Sequence, residues 1–65
     1  MFIVVQPTGF MPYFLAAWAD GSPNWLTQRA YAKRFTRHAA RRIVDQINAQ
    51  HPVNLAHIEP VKELP

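Results

Sequence analysis

The chain has 65 residues and a mass of 7.5 kDa, and a chain of this length buries only about 60% of the surface that its unfolded form exposes. It has no cysteine, which excludes a disulfide scaffold and thiolate-bound zinc. The apolar fraction of 49% is typical of a globular domain, but only 17% of the residues are charged. More apolar surface therefore stays exposed than usual, which favours a protein partner or a homodimer.

The N-terminal segment is apolar but carries no positive charge, and Pro7 and Pro12 interrupt it. It is too short for a membrane span and lacks the charged start of a signal peptide. Together with the absence of cysteine, this predicts a cytoplasmic protein with no membrane contact.

Two apolar runs predict the first two strands. Phe2–Val5 is β-branched and aromatic and ends at a turn signal, Pro7–Gly9, and Tyr13–Trp18 follows as the second strand. Asp20–Asn24 contains Asp-Gly and Ser-Pro and predicts a turn. A third, shorter strand is expected from Ala30 to Phe35.

A helix is predicted to begin after Thr36, whose hydroxyl is suited to cap it. The apolar residues that follow are spaced i, i+3, i+4, i+7 and form one stripe about 100° wide. They are Ala40, Ile43, Val44 and Ile47. His51-Pro52 is expected to end the helix, because a residue before proline avoids the α region.

The last strand is predicted over Val53–Glu59 and is closed by Pro60. Residues 1–60 are then one compact domain, and Val61–Pro65 is a frayed tail. The fold class is α+β: a small, mainly antiparallel sheet of three or four strands in the order β-β-(β)-α-β, with one helix packed on one face.

Trp25, Ala32 and Phe35, followed by Thr36 and Ala40 at the start of the helix, form a packing pattern over about Trp25 to Ile58. The pattern resembles small orphan proteins of phages and mobile elements. Some of those proteins are anti-CRISPR or other anti-defence inhibitors of host machinery. The resemblance implies a binding protein, and it transfers no site residues.

Positive charge is concentrated in one stretch of the chain. Six of the seven Lys and Arg residues lie between Arg29 and Arg42, and no acidic residue interrupts them. The candidate binding residues are Arg29, Lys33, Arg34, Arg37, His38, Arg41 and Arg42. The start of the helix carries Arg37 and no acid, which opposes the helix dipole. The stretch is either a solvated face or, as we predict, one outward surface that nothing in the chain neutralises.

Two kinds of acidic partner fit such a surface. The first is an acidic patch on a host protein complex, with exposed aromatic side chains as anchors and the chain acting as an inhibitor or adaptor. The candidate anchors are Phe10, Tyr13, Trp18 and Tyr31, with Met11 beside them. The alternative partner is nucleic acid, whose backbone the basic stretch would follow. A purely structural dimer would need neither.

Catalysis is not expected. The four acidic residues are scattered, and the turn fully explains Ser22, the only serine. His38, His51 and His57 lack a metal-ligand spacing, and Gly9 and Gly21 form no phosphate loop. We therefore predict a non-enzymatic protein without a cofactor or metal.

Overall fold

The structure is a computed structural model that describes residues 1–19, 22–50, 52–53 and 55–61. In chain order, its elements are strand β1 (Phe2–Gln6), strand β2 (Tyr13–Ala19), strand β3 (Ser22–Leu26), a short 3₁₀ helix (Arg29–Tyr31), helix α1 (Arg37–Gln50) and strand β4 (His57–Pro60). These strands pair antiparallel in the order β3-β2-β1-β4. Helix α1 packs on one face of the sheet, so the predicted α+β class is confirmed.

Strand β1 lies inside the sheet and is covered on both faces. Val4 joins the core under α1, while Ile3 and Val5 join a second apolar cluster on the opposite face, together with Phe14. A strand that is covered on both sides is apolar at successive positions rather than alternating. This is why the run at Phe2–Val5 predicted β1 correctly, although the strand continues to Gln6.

Strand β2 contains an irregularity that directs both Leu15 and Trp18 to the helix. Its pairing with β3 shifts register between Leu15 and Ala17. Leu15 and Trp18, three residues apart, would lie on opposite faces of a regular strand. The extra residue of the bulge brings both into the core beneath α1.

The third strand lies earlier in the chain than predicted. Ser22–Leu26 forms β3, whereas the predicted strand Ala30–Phe35 contains part of the 3₁₀ helix and a single bridge from Phe35 to Phe2. Of the predicted turn Asp20–Asn24, Asp20 and Gly21 lie outside the described residues, and the rest belongs to β3. Pro23 is tolerated because β3 is an edge strand, with one side of its backbone unpaired.

The segment between β3 and α1 passes through the sheet. Strands β1 and β2 pair directly only at Val5–Phe14 and Gln6–Tyr13. Towards the Phe2 end of β1, the two strands separate and the segment lies between them in the position of a strand. There the Lys33 amide donates to the Leu15 carbonyl of β2 at 2.9 Å, and Phe35 exchanges two backbone hydrogen bonds with Phe2 of β1. The chain therefore crosses from one face of the sheet to the other between β1 and β2.

Packing on either side of this crossing supports the same path. Before it, Ala32 packs against the apolar cluster on the face away from the helix. After it, Phe35 packs into the core under α1. The crossing segment thus covers the face of the sheet that α1 leaves open.

Helix α1 begins as predicted. The Ala39 amide donates to Oγ1 of Thr36 at 3.2 Å, and the Ala40 amide donates to the Thr36 carbonyl at 2.9 Å. The buried residues of the helix are the four predicted ones, Ala40, Ile43, Val44 and Ile47. The helix ends at Gln50, and the predicted stop residue His51 lies outside the described residues.

Strand β4 is shorter than the predicted strand Val53–Glu59. The side chain of Asn48 on α1 holds the backbone of Ala56: Nδ2 donates to the Ala56 carbonyl at 3.1 Å, and the Ala56 amide donates to Oδ1 at 2.7 Å. These bonds hold the backbone at Ala56 against the helix, so pairing with the sheet begins only at His57.

Directly after β4, the backbone amide of Val61 donates to the Met1 carbonyl at 2.9 Å. Residues 62–65 of the predicted tail, like Asn54, lie outside the described residues. In the described part of the chain, no helix is long and apolar enough to cross a membrane.

Replacing Leu15, which is fully buried, tests this packing. We expect Leu15→Ala to lower the free energy of unfolding by about 2–5 kcal/mol, because it leaves a cavity between β2 and α1. Leu55→Ala is the matched control, since Leu55 is 55% exposed, and its effect should stay within about 0.5 kcal/mol. Urea unfolding followed by tryptophan fluorescence measures both, and equal losses would contradict the described core.

Candidate binding surface

The seven predicted binding residues are all exposed, but they do not share one surface. The crossing between β1 and β2 divides them. Arg29 precedes it and lies on the face of the sheet opposite the helix, and Arg34 borders a cavity of about 320 Å³ beside it. The remaining five lie on the helix side, and we call them the helix-side basic surface: Lys33, Arg37, His38, Arg41 and Arg42.

Arg29 is neutralised within the molecule. Its Nη1 donates to Oε1 of Glu59 at 2.6 Å, and its guanidinium lies over the ring of Phe14, 5.9 Å from the centroid. It thus covers the apolar cluster on the open face of the sheet. The prediction that nothing in the chain neutralises the basic stretch is wrong for this residue, because strand β4 brings Glu59 from thirty positions away.

Glu59 has a second partner on the same face. Nε2 of His57 lies 2.8 Å from its other carboxylate oxygen, Oε2, because residues two apart on a strand project from the same face. The hydrogen bond from Arg29, followed by the one with His57, lowers the pKa of the Glu59 carboxyl, although partial burial opposes the shift. The sequence places His57 and Glu59 on the predicted last strand, but sequence reasoning did not find this pair.

The helix-side basic surface is not neutralised by ion pairs in the described part of the chain, although Asp45 lines the same groove as Arg41. None of its residues forms an ion pair with a described carboxylate. Lys33 instead places its Nζ 5.8 Å from the centroid of the Phe35 ring. The first turn of α1 contains no acidic residue, so the positive end of the helix dipole adds to these charges.

Apart from Lys33, the residues of this surface spread around the first two turns of α1. Arg41 borders a groove of about 310 Å³ on the side of β4, with His57 and Ile58. Arg42 borders a second groove of about 310 Å³ on the side of β2, with Trp18 and Phe35. By helical spacing, His38 lies between these flanks and faces outward.

Of the predicted aromatic anchors, only Trp18 adjoins this surface. It is half-buried against the core under α1, so it forms the floor of a groove rather than a free anchor. Tyr31 is 66% exposed, on the short 3₁₀ helix. Phe10 and Tyr13 belong to the opposite end of the sheet, because Tyr13 pairs with Gln6 at the end of β1. The anchors and the basic residues therefore do not form one continuous contact.

Among the described residues, no group of three His, Cys, Asp or Glu side chains could hold a metal ion. The two described carboxylates are separate, since Asp45 is exposed on α1 and Glu59 is bound to Arg29. What the site offers chemically is exposed positive charge beside a shallow apolar groove.

Comparisons of the chain with known protein families, with characterised proteins and with solved structures find no match.

Glu59 predicts a specific pH dependence of stability. Because its pKa is lowered in the folded state, its contribution is present above the unfolded pKa and is lost as the pH falls through the folded pKa. We expect Glu59→Gln to cost a few tenths to about 1 kcal/mol at neutral pH, as for an exposed ion pair, and nothing in acid.

Urea unfolding of both proteins between neutral pH and about pH 3 measures this difference. Asp45→Asn is the control, since Asp45 has no described ion partner. A Glu59→Gln cost that does not change with pH would contradict the assigned pair.

Proposed function

We propose that the protein is a non-catalytic binding protein whose helix-side basic surface docks on an acidic surface of another protein. The observation that carries this proposal is the group of four Lys and Arg side chains and His38, which face solvent and form no ion pair with a described carboxylate. Cations at the start of a helix cost roughly 0.3–1 kcal/mol each. A local cost of this kind, with no compensation inside the fold, is typical of a functional position.

The groove beside Arg42 supports a protein partner. Trp18, Phe35 and Ala39 line it with apolar atoms, and Arg42 and Gln46 add polar groups. Such a groove suits an apolar side chain of the partner that has a carboxylate next to it. Charge steers the encounter, and the apolar contact supplies the anchor.

The role that we propose is that of a cytoplasmic inhibitor or adaptor of phage or mobile-element type. The packing pattern from Trp25 to Ile58 and the small size of the chain support this class. An inhibitor of this kind needs only a surface, and a shallow groove on a small sheet is better suited to contact than to enclosing a substrate.

Nucleic acid is the second candidate partner. Tyr31 is 66% exposed and precedes Lys33 by two residues, so its ring is free to stack on a base while the cations contact phosphate. Two observations favour protein. Phe35, the other aromatic residue in the basic stretch, is held in the core rather than exposed for stacking, and the apolar groove beside Arg42 suits a side chain better than a phosphate backbone.

Reversing the charge of the surface tests the proposal. Arg37→Glu, Arg41→Glu and Arg42→Glu combined should weaken partner binding at least about tenfold, because like charges then face each other. Arg29→Gln is the matched control, since Arg29 lies on the other face, and it should bind as the parent does. Affinity capture from host lysate, quantified for the three proteins after nuclease treatment, measures the difference.

The outcome also separates the two candidates. A protein that is captured after nuclease treatment by the parent and by Arg29→Gln, but not by the triple variant, supports the proposal. Capture that nuclease abolishes, and a DNA or RNA complex that weakens steeply between about 50 and 200 mM salt, would favour nucleic acid instead. Equal capture by all three proteins would mean that the basic residues form only a solvated face.

A further inference from the structure

The end of the molecule away from the basic surface is almost uncharged. Residues 1–19, 22–28 and 46–50 contain no Asp, Glu, Lys or Arg. Strand β1 runs from Phe2, which is paired with Phe35 just before α1, to Gln6, which lies near the end of the helix at Gln50. The β1–β2 loop and the segment after α1 therefore meet at this end. We call it the apolar end, and its exposed apolar residues are Phe10, Met11, Tyr13, Leu26, Val53 and Leu55.

The most prominent residue of the apolar end is Phe10, whose 102% exposure means that its ring touches little of its own chain. The loop that carries it is nevertheless ordered by Thr8. The hydroxyl of Thr8 accepts from the amides of Phe10 at 3.3 Å and Met11 at 3.1 Å, and it donates to the Met11 carbonyl. The ring is thus presented in water by a loop whose backbone is already fixed, which lowers the entropy cost of binding.

A groove of about 410 Å³ opens at the same end, between the sheet and the C-terminal turn of α1. Trp25 and Ile47 line its inner part, and Val53, which is 74% exposed, lies at its rim. None of the lining residues that the structure describes is ionisable. The remaining lining residues are Gln6, Pro23, Gln50 and Pro52. The groove is large enough to take an aromatic side chain.

We propose that the apolar end binds a second copy of this chain, with Phe10 of each copy in the groove of the other. A symmetric dimer requires that one patch contain both the projecting group and its receptor. Phe10 and the groove meet this requirement, because both belong to the end at which β1 finishes. Had they lain at opposite ends, the same contact would have produced an open chain of molecules rather than a closed pair.

The charge distribution favours a second copy over an acidic or basic partner. The apolar end offers no described charge to complement a charged surface, whereas two copies joined there keep their basic surfaces apart. A dimer would then present two basic surfaces in opposite directions. The contact is confined to one end of a small molecule, so its area lies at the low end for specific interfaces and we expect micromolar-to-millimolar affinity.

Sedimentation equilibrium of the full chain over a concentration series tests the proposal. The mass should rise from 7.5 kDa towards twice that value, with little dependence on salt. Phe10→Ser should weaken the dimer about a hundredfold or more, because two rings leave the interface of each dimer. Tyr31→Ser, which removes an exposed aromatic ring elsewhere, should not change the dimer. Circular dichroism should show that both variants keep the fold.

A complementation experiment identifies the receptor groove. Phe10→Asp and Val53→Arg should each be monomeric alone. When the two are mixed, the intact Phe10 of one copy meets the intact groove of the other, and the new carboxylate meets the new guanidinium. The mixture should therefore form a heterodimer, which native mass spectrometry resolves.

Three results would overturn the proposal. The first is a parent chain that stays at 7.5 kDa up to about 1 mM, a concentration at which even the weakest affinity expected for so small an interface gives a measurable fraction of dimer. The others are a dimer that Phe10→Ser leaves intact and a mixture that fails to associate. Phe10→Ser should leave the intrinsic affinity of the basic surface for its partner unchanged. Loss of partner binding and loss of the dimer are therefore measured separately.

Discussion

The insertion of Lys33–Phe35 between β1 and β2 is the constraint on which the rest of the structure depends. Without it, the amide and carbonyl of Phe2 and the carbonyl of Leu15 would face a gap where the two strands diverge. Buried backbone groups must be paired, and the inserted segment pairs them. It also places the chain on the helix side of the sheet at Thr36, where the side chain of that residue starts α1.

The same crossing allows a very small protein to cover both faces of its sheet. Helix α1 covers one face, and the segment around the 3₁₀ helix covers the other, with Ala32 against the cluster of Ile3, Val5 and Phe14. Arg29 completes that cover, because its guanidinium lies over Phe14 while Glu59 balances its charge. No polar residue is buried among the described residues, so the core is formed without the cost of desolvating polar groups.

The crossing also divides what the sequence presents as one block of positive charge. Arg29 supports the open face of the sheet, while no residue of the helix-side basic surface forms an ion pair with a described carboxylate. At the far end of β1, the described residues include no Asp, Glu, Lys or Arg, and Phe10 projects from an ordered loop. The molecule therefore has two ends of contrasting chemistry. One end offers exposed positive charge, and the other offers apolar area that is not covered by the chain itself.

The sequence by itself determined the features that arise from neighbouring residues: the cap at Thr36, the buried stripe from Ala40 to Ile47, and the apolar runs of β1 and β2. Each depends on spacing within one turn or one strand, and such spacing can be read directly. Only the tertiary structure decided the position of β3, the pairing of Arg29 with Glu59, and the separation of the aromatic residues from the basic surface. These depend on contacts between distant segments, since Pro23 is acceptable only at a sheet edge and Glu59 reaches Arg29 only after β4 has paired with β1.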